Sequence, residues 1–170
     1  MSKKEDKKSQ EDMISDSPQI IINAQYIKDL SFENPNAPMS LVPSKEQPKI
    51  ELNFKIDHKK ITPPKEEESD VEKLLEITMT ITAEAKVEDS KAFVIELSYA
   101  GVFTVEHMND QQKHVLKYIE GPRMLFPFCR AIISSTTREG GFPPLMLSPI
   151  DFVALYKQQM AQHKAEKNVN

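Results

Sequence analysis

Apolar and polar residues alternate with a period of two through four stretches of the chain, after which the spacing turns helical. In the first stretch Ile20, Ile22, Ala24 and Tyr26 share one face of an expected strand, closed by the turn cluster Asn34-Pro35-Asn36-Ala37-Pro38. In the second, Ile50, Leu52, Phe54 and Ile56 alternate with Glu51, Asn53, Lys55 and Asp57. The third is the longest: Leu75, Ile77, Met79, Ile81, Ala83, Ala85 and Val87 alternate with Glu76, Thr78, Thr80, Thr82, Glu84 and Lys86, which predicts one long strand with one wet face. After Glu88-Asp89-Ser90 the fourth sets Phe93, Ile95, Leu97 and Tyr99 against Val94 and Glu96, with Gly101 expected to mark a bulge or bend.

Beyond residue 105, a short helix capped by Asn109 or Asp110 is expected first. A second helix begins with Pro122, carries Leu125, Phe128, Ile132 and Thr136 as its stripe, and stops at Gly140-Gly141. Pro127 should bend its first turns or delay its start. A third opens with Ser148-Pro149-Ile150-Asp151 as its capping arrangement, the proline at the first helical position, and presents Phe152, Leu155, Tyr156 and Met160. Strands followed by helices predict an α+β fold, a four-stranded antiparallel sheet with helices on one face.

Residues 1–18 mix lysines with acidic residues and offer few apolar groups to offset ordering entropy, so they read as a disordered arm. Residues 19–160 form the domain, and 161–170 read as a flexible, basic tail. The connection Lys59 to Asp70 is a charged, proline-bearing loop. A net charge of -4 argues against a phosphate-backbone binder. No apolar run is long enough to cross a bilayer, and the single cysteine, Cys129, suits a reducing compartment, so a cytoplasmic location is expected.

Catalytic motifs are missing. The chain has no Gly-x-Ser-x-Gly elbow, no His-Glu-x-x-His and no Gly-rich phosphate loop, and the two prolines after Gly140-Gly141-Phe142 lack the donors a phosphate cradle needs. His58, His107, His114 and His163 match no zinc spacing, so no metal and no cofactor are assigned. Cys129 beside the apolar stripe reads as a buried structural thiol. The anomaly is the connector between the last two helices, where Phe142, Leu145, Met146 and Leu147 sit among Gly140, Gly141, Pro143, Pro144 and Pro149. Loops are normally polar, and spare apolar surface points to self-association or peptide binding.

Three segments in order, KDLSFENPNAP, GPRMLFPFCRAIISS and GGFPPLMLSPIDFVALY, closely resemble the SecB protein-export chaperones, and the resemblance runs from about Ile20 to Tyr156. It implies a tetramer built as a dimer of dimers, with the helix from about Pro122 to Glu139 at its centre and Ala131, Ser134 and Ser135 allowing close helix approach. It implies a non-enzymatic chaperone that binds newly made precursors unfolded and delivers them to the SecA motor without hydrolysing nucleotide. Leu52, Phe93, Ile95, Tyr99, Phe142, Leu145 and Leu147 fall where the family binds clients, and Asp29, Glu33, Val94 and Glu96 where it docks SecA. Any zinc would be SecA's. Ile95 stands where a cysteine is often found and Tyr99 where a glutamine is, which shifts the groove and makes it more apolar. Two competing readings remain at this level: a SecB-like chaperone dedicated to one partner such as an antitoxin, and an α+β enzyme using His107 or His114 with Asp110.

Overall fold

The computed structural model describes residues 18–61 and 74–167; the N-terminal arm and most of the Lys59 to Asp70 connection lie outside them. Four antiparallel strands, β1 (Gln19–Glu33), β2 (Lys49–Lys60), β3 (Leu74–Val87) and β4 (Ser90–Glu106), form one sheet in the order β1-β4-β3-β2. The expected fold class is therefore the observed one. β3 and β4 are a hairpin closed by Glu88-Asp89, with Glu88 at φ 53°. The edge strands come from further off in sequence.

Long alternation in β3 and β4 follows from their central position. One face of each is sealed, with Ile77, Met79, Ile81, Ile95, Leu97 and Phe103 fully buried beneath the helices. Each such side chain contributes ~1.5 to 3 kcal/mol of transfer free energy before ordering costs.

In β1 the alternation is broken. Relative to β4 the register slips between Ile22 and Ala24 and again between Ile27 and Asp29. Ile20 and Ile22 therefore pair with Val105 and Phe103 on the helix side, whereas Ala24 and Tyr26 pair with Val102 and Ala100 on the other. The single face expected for Ile20, Ile22, Ala24 and Tyr26 is thus corrected: the first inserted residue turns the following side chains over, and the second turns them back, so that Leu30 and Phe32 again face the helices. Gly101 carries no bulge. It pairs in register with Ile77 and Gln25, and leaves room for the Leu125 and Phe103 side chains, which a Cβ would crowd. The wet face of β3 is only partly wet, because Glu76 and Thr78 are buried there.

Helix α1 (Asp110–Val115) is capped by Asn109 in a reciprocal box with Gln112. It does not end before the next helix. A π turn at Leu116–Glu120 leads directly into α2 (Gly121–Glu139), so Pro127 neither delays the start nor stops the helix that contains it. The stripe of α2 is also rotated from expectation. Leu125, Cys129, Ile133 and Thr137 are buried, while Phe128 is exposed and Ile132 and Thr136 are half-buried. A thiol is small enough to lie flat against the sheet, and the Phe128 ring is displaced outward, where it stacks on Tyr99 at 6.0 Å. At the C-terminus Gly141 adopts φ 89°, with Gly141 N donating to Arg138 O and Phe142 N to Thr137 O, so the expected glycine stop is a Schellman motif.

Helix α3 (Phe152–Lys167) opens at Phe152, after Pro149 rather than with it. Asp151, not Ser148, is the cap: its Oδ1 accepts from Val153 N and Ala154 N, both at 3.0 Å, and Pro149 lies before the helix. Phe152 is buried against Phe126, ring centroids 5.8 Å apart. The backbone stays helical to Lys167, past the point where a flexible tail was expected.

Candidate functional site

The connector between α2 and α3 folds back along α2. Leu145 N donates to Thr137 Oγ1 at 2.9 Å, and Ser134 Oγ donates to the Met146 thioether at 3.3 Å. Its prolines remove backbone donors that this irregular path would otherwise leave unpaired. Phe142, placed by the Schellman turn, meets Phe93 at 4.9 Å and Phe32 at 6.3 Å, and Phe32 stacks on Phe93 at 5.7 Å. Gly140 lies so close to the Phe32 ring that no Cβ fits between them.

Register defines what surrounds this aromatic cluster. Leu52, Ala83, Ile95 and Phe32 form one row across the sheet, and Ile50, Ala85 and Phe93 the adjacent row. Of the expected groove residues, Phe93, Ile95 and Leu147 are buried, Phe142 and Leu145 are half-buried, and Leu52 is 44% exposed. The structure thus sets Phe93, Ile95 and Phe142 around one end of the sheet. Tyr99 is elsewhere: it shares a row with Ile56 and Ile27, about 13 Å along the strand from Ile95, under Phe128.

Apolar residues that sequence analysis did not select complete this end. Phe32 belongs to the cluster, and the turn after β1 displays Met39 at 71%, Leu41 at 43% and Val42 at 58% exposure. Leu41 rests on Gly141. The available signal was the isolated apolar set Met39, Leu41 and Val42 within a proline-rich turn, the same anomaly that marked the connector.

Asp29, Glu33, Val94 and Glu96 come together on the opposite face. Asp29 pairs with Ser98, Ser31 with Glu96 and Glu33 with Val94, so all four project away from the helices. Among the described residues no lysine or arginine pairs with Asp29, Glu33 or Glu96. Glu96 accepts only from Thr82 Oγ1, at 3.2 Å. The nearby lysines are committed elsewhere: Lys91 and Lys86 to Glu84 at 3.3 and 3.4 Å, and Lys86 also to Glu51 at 3.2 Å. A small patch of unneutralised carboxylates around half-buried Val94 results.

Further along that face Glu76 accepts from Tyr26 Oη and Lys28 Nζ, each at 2.6 Å, with Lys59 Nζ at 3.5 Å. Burial alone would raise its carboxyl, but the Lys28 and Tyr26 hydrogen bonds and the two lysine charges outweigh that and hold it at about 2. The hydrogen bond to Glu76, aided by burial, pushes the Tyr26 phenol up to about 12. This cluster ties both edge strands to β3. With Glu76 held ionised and Tyr26 held neutral near pH 7, its role is structural. Burial pushes the Cys129 thiol up to about 12, which makes it inert as expected.

No His, Cys, Asp or Glu group among the described residues has the makings of a metal site, and no described helix is long and apolar enough to cross a membrane. His114 and Asp110 lie on α1, where His114 Nε2 is hydrogen-bonded to Tyr156 Oη.

A family model described as preprotein translocase subunit SecB matches residues 14–163. The protein-export protein SecB of Parvibaculum lavamentivorans is 46% identical over 147 residues, covering 86% of this chain and 82% of the relative. That of Rhodopseudomonas palustris strain BisA53 is 46% identical over 149 residues, covering 88% and 87% respectively. Among solved structures, a Mycobacterium tuberculosis SecB-like chaperone in complex with an antitoxin peptide superposes with a TM-score of 0.60 at 12% identity, covering 78% of this chain and 91% of that one. At that identity the likeness is one of fold. The sheet, the helix pair and the sequence relatives agree, and the chain belongs to the SecB family of protein-export chaperones, which are not enzymes.

Proposed function

We propose that this chain keeps newly made precursor proteins unfolded in the cytoplasm, without nucleotide hydrolysis, and passes them to the SecA translocation motor. The observation that carries the client site is the apolar connector laid along α2, with Phe142 joined to Phe93 and Phe32 and with Leu41, Leu52, Met39 and Met146 still exposed around it. Extended client segments lie against Leu52, Phe142 and Leu145, over a base formed by Phe93, Ile95 and Leu147. Burial is non-directional, so such a surface accepts many sequences. Tyr99 enters the same binding surface only where a segment continues along the sheet toward Phe128.

SecA docks on the other face, at Asp29, Glu33, Val94 and Glu96. Three unpaired carboxylates steer a basic partner, and Val94 supplies the apolar contact that lengthens its stay. The two sites lie on opposite faces of one sheet, which lets client and motor be held together.

The working unit is a homotetramer, a dimer of dimers. β1 is an edge strand with Ile21, Ile22, Ile27 and Leu30 exposed on its two faces, and α2 displays Phe128. Gln25 Oε1 and Arg130 Nε are buried without a hydrogen-bond partner among the described residues, as expected where a second subunit supplies one. Four modest sites per particle then provide avidity.

Light scattering on the purified protein, alone and with a urea-unfolded client, tests the reading. A tetramer that gains the mass of the client supports it. A monomer that takes up none overturns it.

A further inference from the structure

An aromatic cluster with no part in the client or docking surfaces lies where the end of β2 meets the helices. His58 of β2 packs on Tyr118 of the π turn at 5.2 Å. His114 of α1 meets Tyr118 at 4.7 Å and Tyr156 of α3 at 5.3 Å, and the two tyrosines are 5.4 Å apart. His114 Nε2 and Tyr156 Oη are hydrogen-bonded. A cavity of about 360 Å³ opens beside these rings, bounded also by Ile56, Asp57 and Met160.

This cluster holds α3 to the domain. The N-terminal end of the helix is anchored by Phe152 on Phe126, and Tyr156 is its next ring contact. Met160, a turn further on, is already 41% exposed. Beyond Phe152, α3 is attached by half-buried Leu155 against the core and by Tyr156, seated among two imidazoles and a phenol.

The charges around His58 oppose its protonation. From the π turn comes Lys117, from α1 the His114 imidazole, and from the described side chains of α3 the Tyr156 phenol. Asp57 adjoins His58 on β2, but its carboxylate is engaged by Lys55 at 2.8 Å. Burial first, then Lys117 and His114, against Asp57, lower the His58 imidazole below its ordinary value. The cavity gives water and protons access to it.

We propose that His58, Tyr118, His114 and Tyr156 form a proton-sensitive latch, which seats α3 while His58 is neutral and loosens it when His58 takes a proton. A proton on His58 adds a positive charge beside Lys117 in a half-buried place, and undocking α3 relieves it by opening the cavity to water. The sign follows from linkage: the docked form binds the proton more weakly than the open form, so docking is favoured at neutral pH and weakens as pH falls below the ordinary histidine range. Because α3 continues directly from the connector, its release slackens the wall formed by Phe142 and Leu145. The latch does not depend on what that wall binds.

Hydrogen exchange of the intact purified protein at about pH 7.5 and about pH 5.5, corrected for intrinsic exchange, reads the latch amide by amide. The expected result is several-fold faster exchange of the Leu155 to Met160 amides at the lower pH, with the β3 and α2 amides unchanged. His58→Gln should abolish that pH response, and Tyr156→Phe should give the faster exchange already at about pH 7.5. Equal protection of α3 at both pH values in the unaltered protein, or a full response retained in His58→Gln, overturns the proposal.

Discussion

Glu76 shows how one residue's surroundings reverse its usual preference. A carboxylate on a central strand is costly unless paired, and here the sheet supplies Lys28 and Tyr26 from β1 and Lys59 from β2. Ala100, which lies between Tyr26 and Thr78 in the register, is small enough to leave the crossing free. The folded-state carboxyl is depressed, so its contribution is complete above the ordinary glutamate range and is lost as pH falls from about 4.5 toward 2. Glu76→Gln is expected to lower stability near neutral pH by up to about 3 kcal/mol in urea unfolding. It should also flatten the decline of stability on acidification; an unchanged acid limb would contradict the assignment. Cys129 makes the opposite case, an ionisable group kept neutral. Its alkylation near pH 8 should proceed only at the rate of unfolding, so a fast reaction in native buffer would show the thiol to be accessible.

Helix α3 is held to the domain by Phe152, Leu155 and Tyr156. Its start depends on the Asp151 carboxylate, which satisfies two backbone donors at once. Asp151→Ala should cost about 1 kcal/mol and speed exchange of the first α3 amides, leaving α1, with its own Asn109 and Gln112 box, unaffected. Helix α2, running on from α1 through a π turn, is fixed on the sheet by Leu125, Cys129 and Ile133, and so places the connector's starting point within narrow limits. Periodicity read the helical segments correctly, but not that the first two run on through a π turn. It mistook the buried stripe of α2, because a ring outranks a thiol in hydrophobicity but cannot lie as close to a sheet.

At the scale of the whole molecule, two faces of one sheet carry two kinds of chemistry. The helix side is apolar and ends in the connector; the other side is polar, with unneutralised carboxylates at its β1 and β4 end. Glu96→Lys should therefore weaken SecA binding severalfold or more while leaving client binding nearly intact, as titrations with each partner would show. Equal losses in both would mean that the two surfaces are not separate. The acidic face was legible because β4 alternates cleanly and its β1 partners follow the family pattern. The aromatic end of the sheet was legible in part, since Phe142 and Phe93 stood out by type and place, whereas Phe32, Met39 and Leu41 did not.

The sequence alone determined the fold class, the strand spans and the family, because period-two and helical spacings are local properties and three specific segments survive in order. It also determined that the connector was unusual, since apolar residues among prolines conflict with an ordinary loop. Only the tertiary structure decided how β1 faces, since each of its two inserted residues reverses the side-chain sense, so that the stretch between them is turned over and Leu30 and Phe32 return to the helix side. It alone decided that Phe128 points outward, that Glu76 is buried, and that His58, His114, Tyr118 and Tyr156 meet. Those outcomes depend on distances between residues far apart in the chain, and no local pattern encodes them.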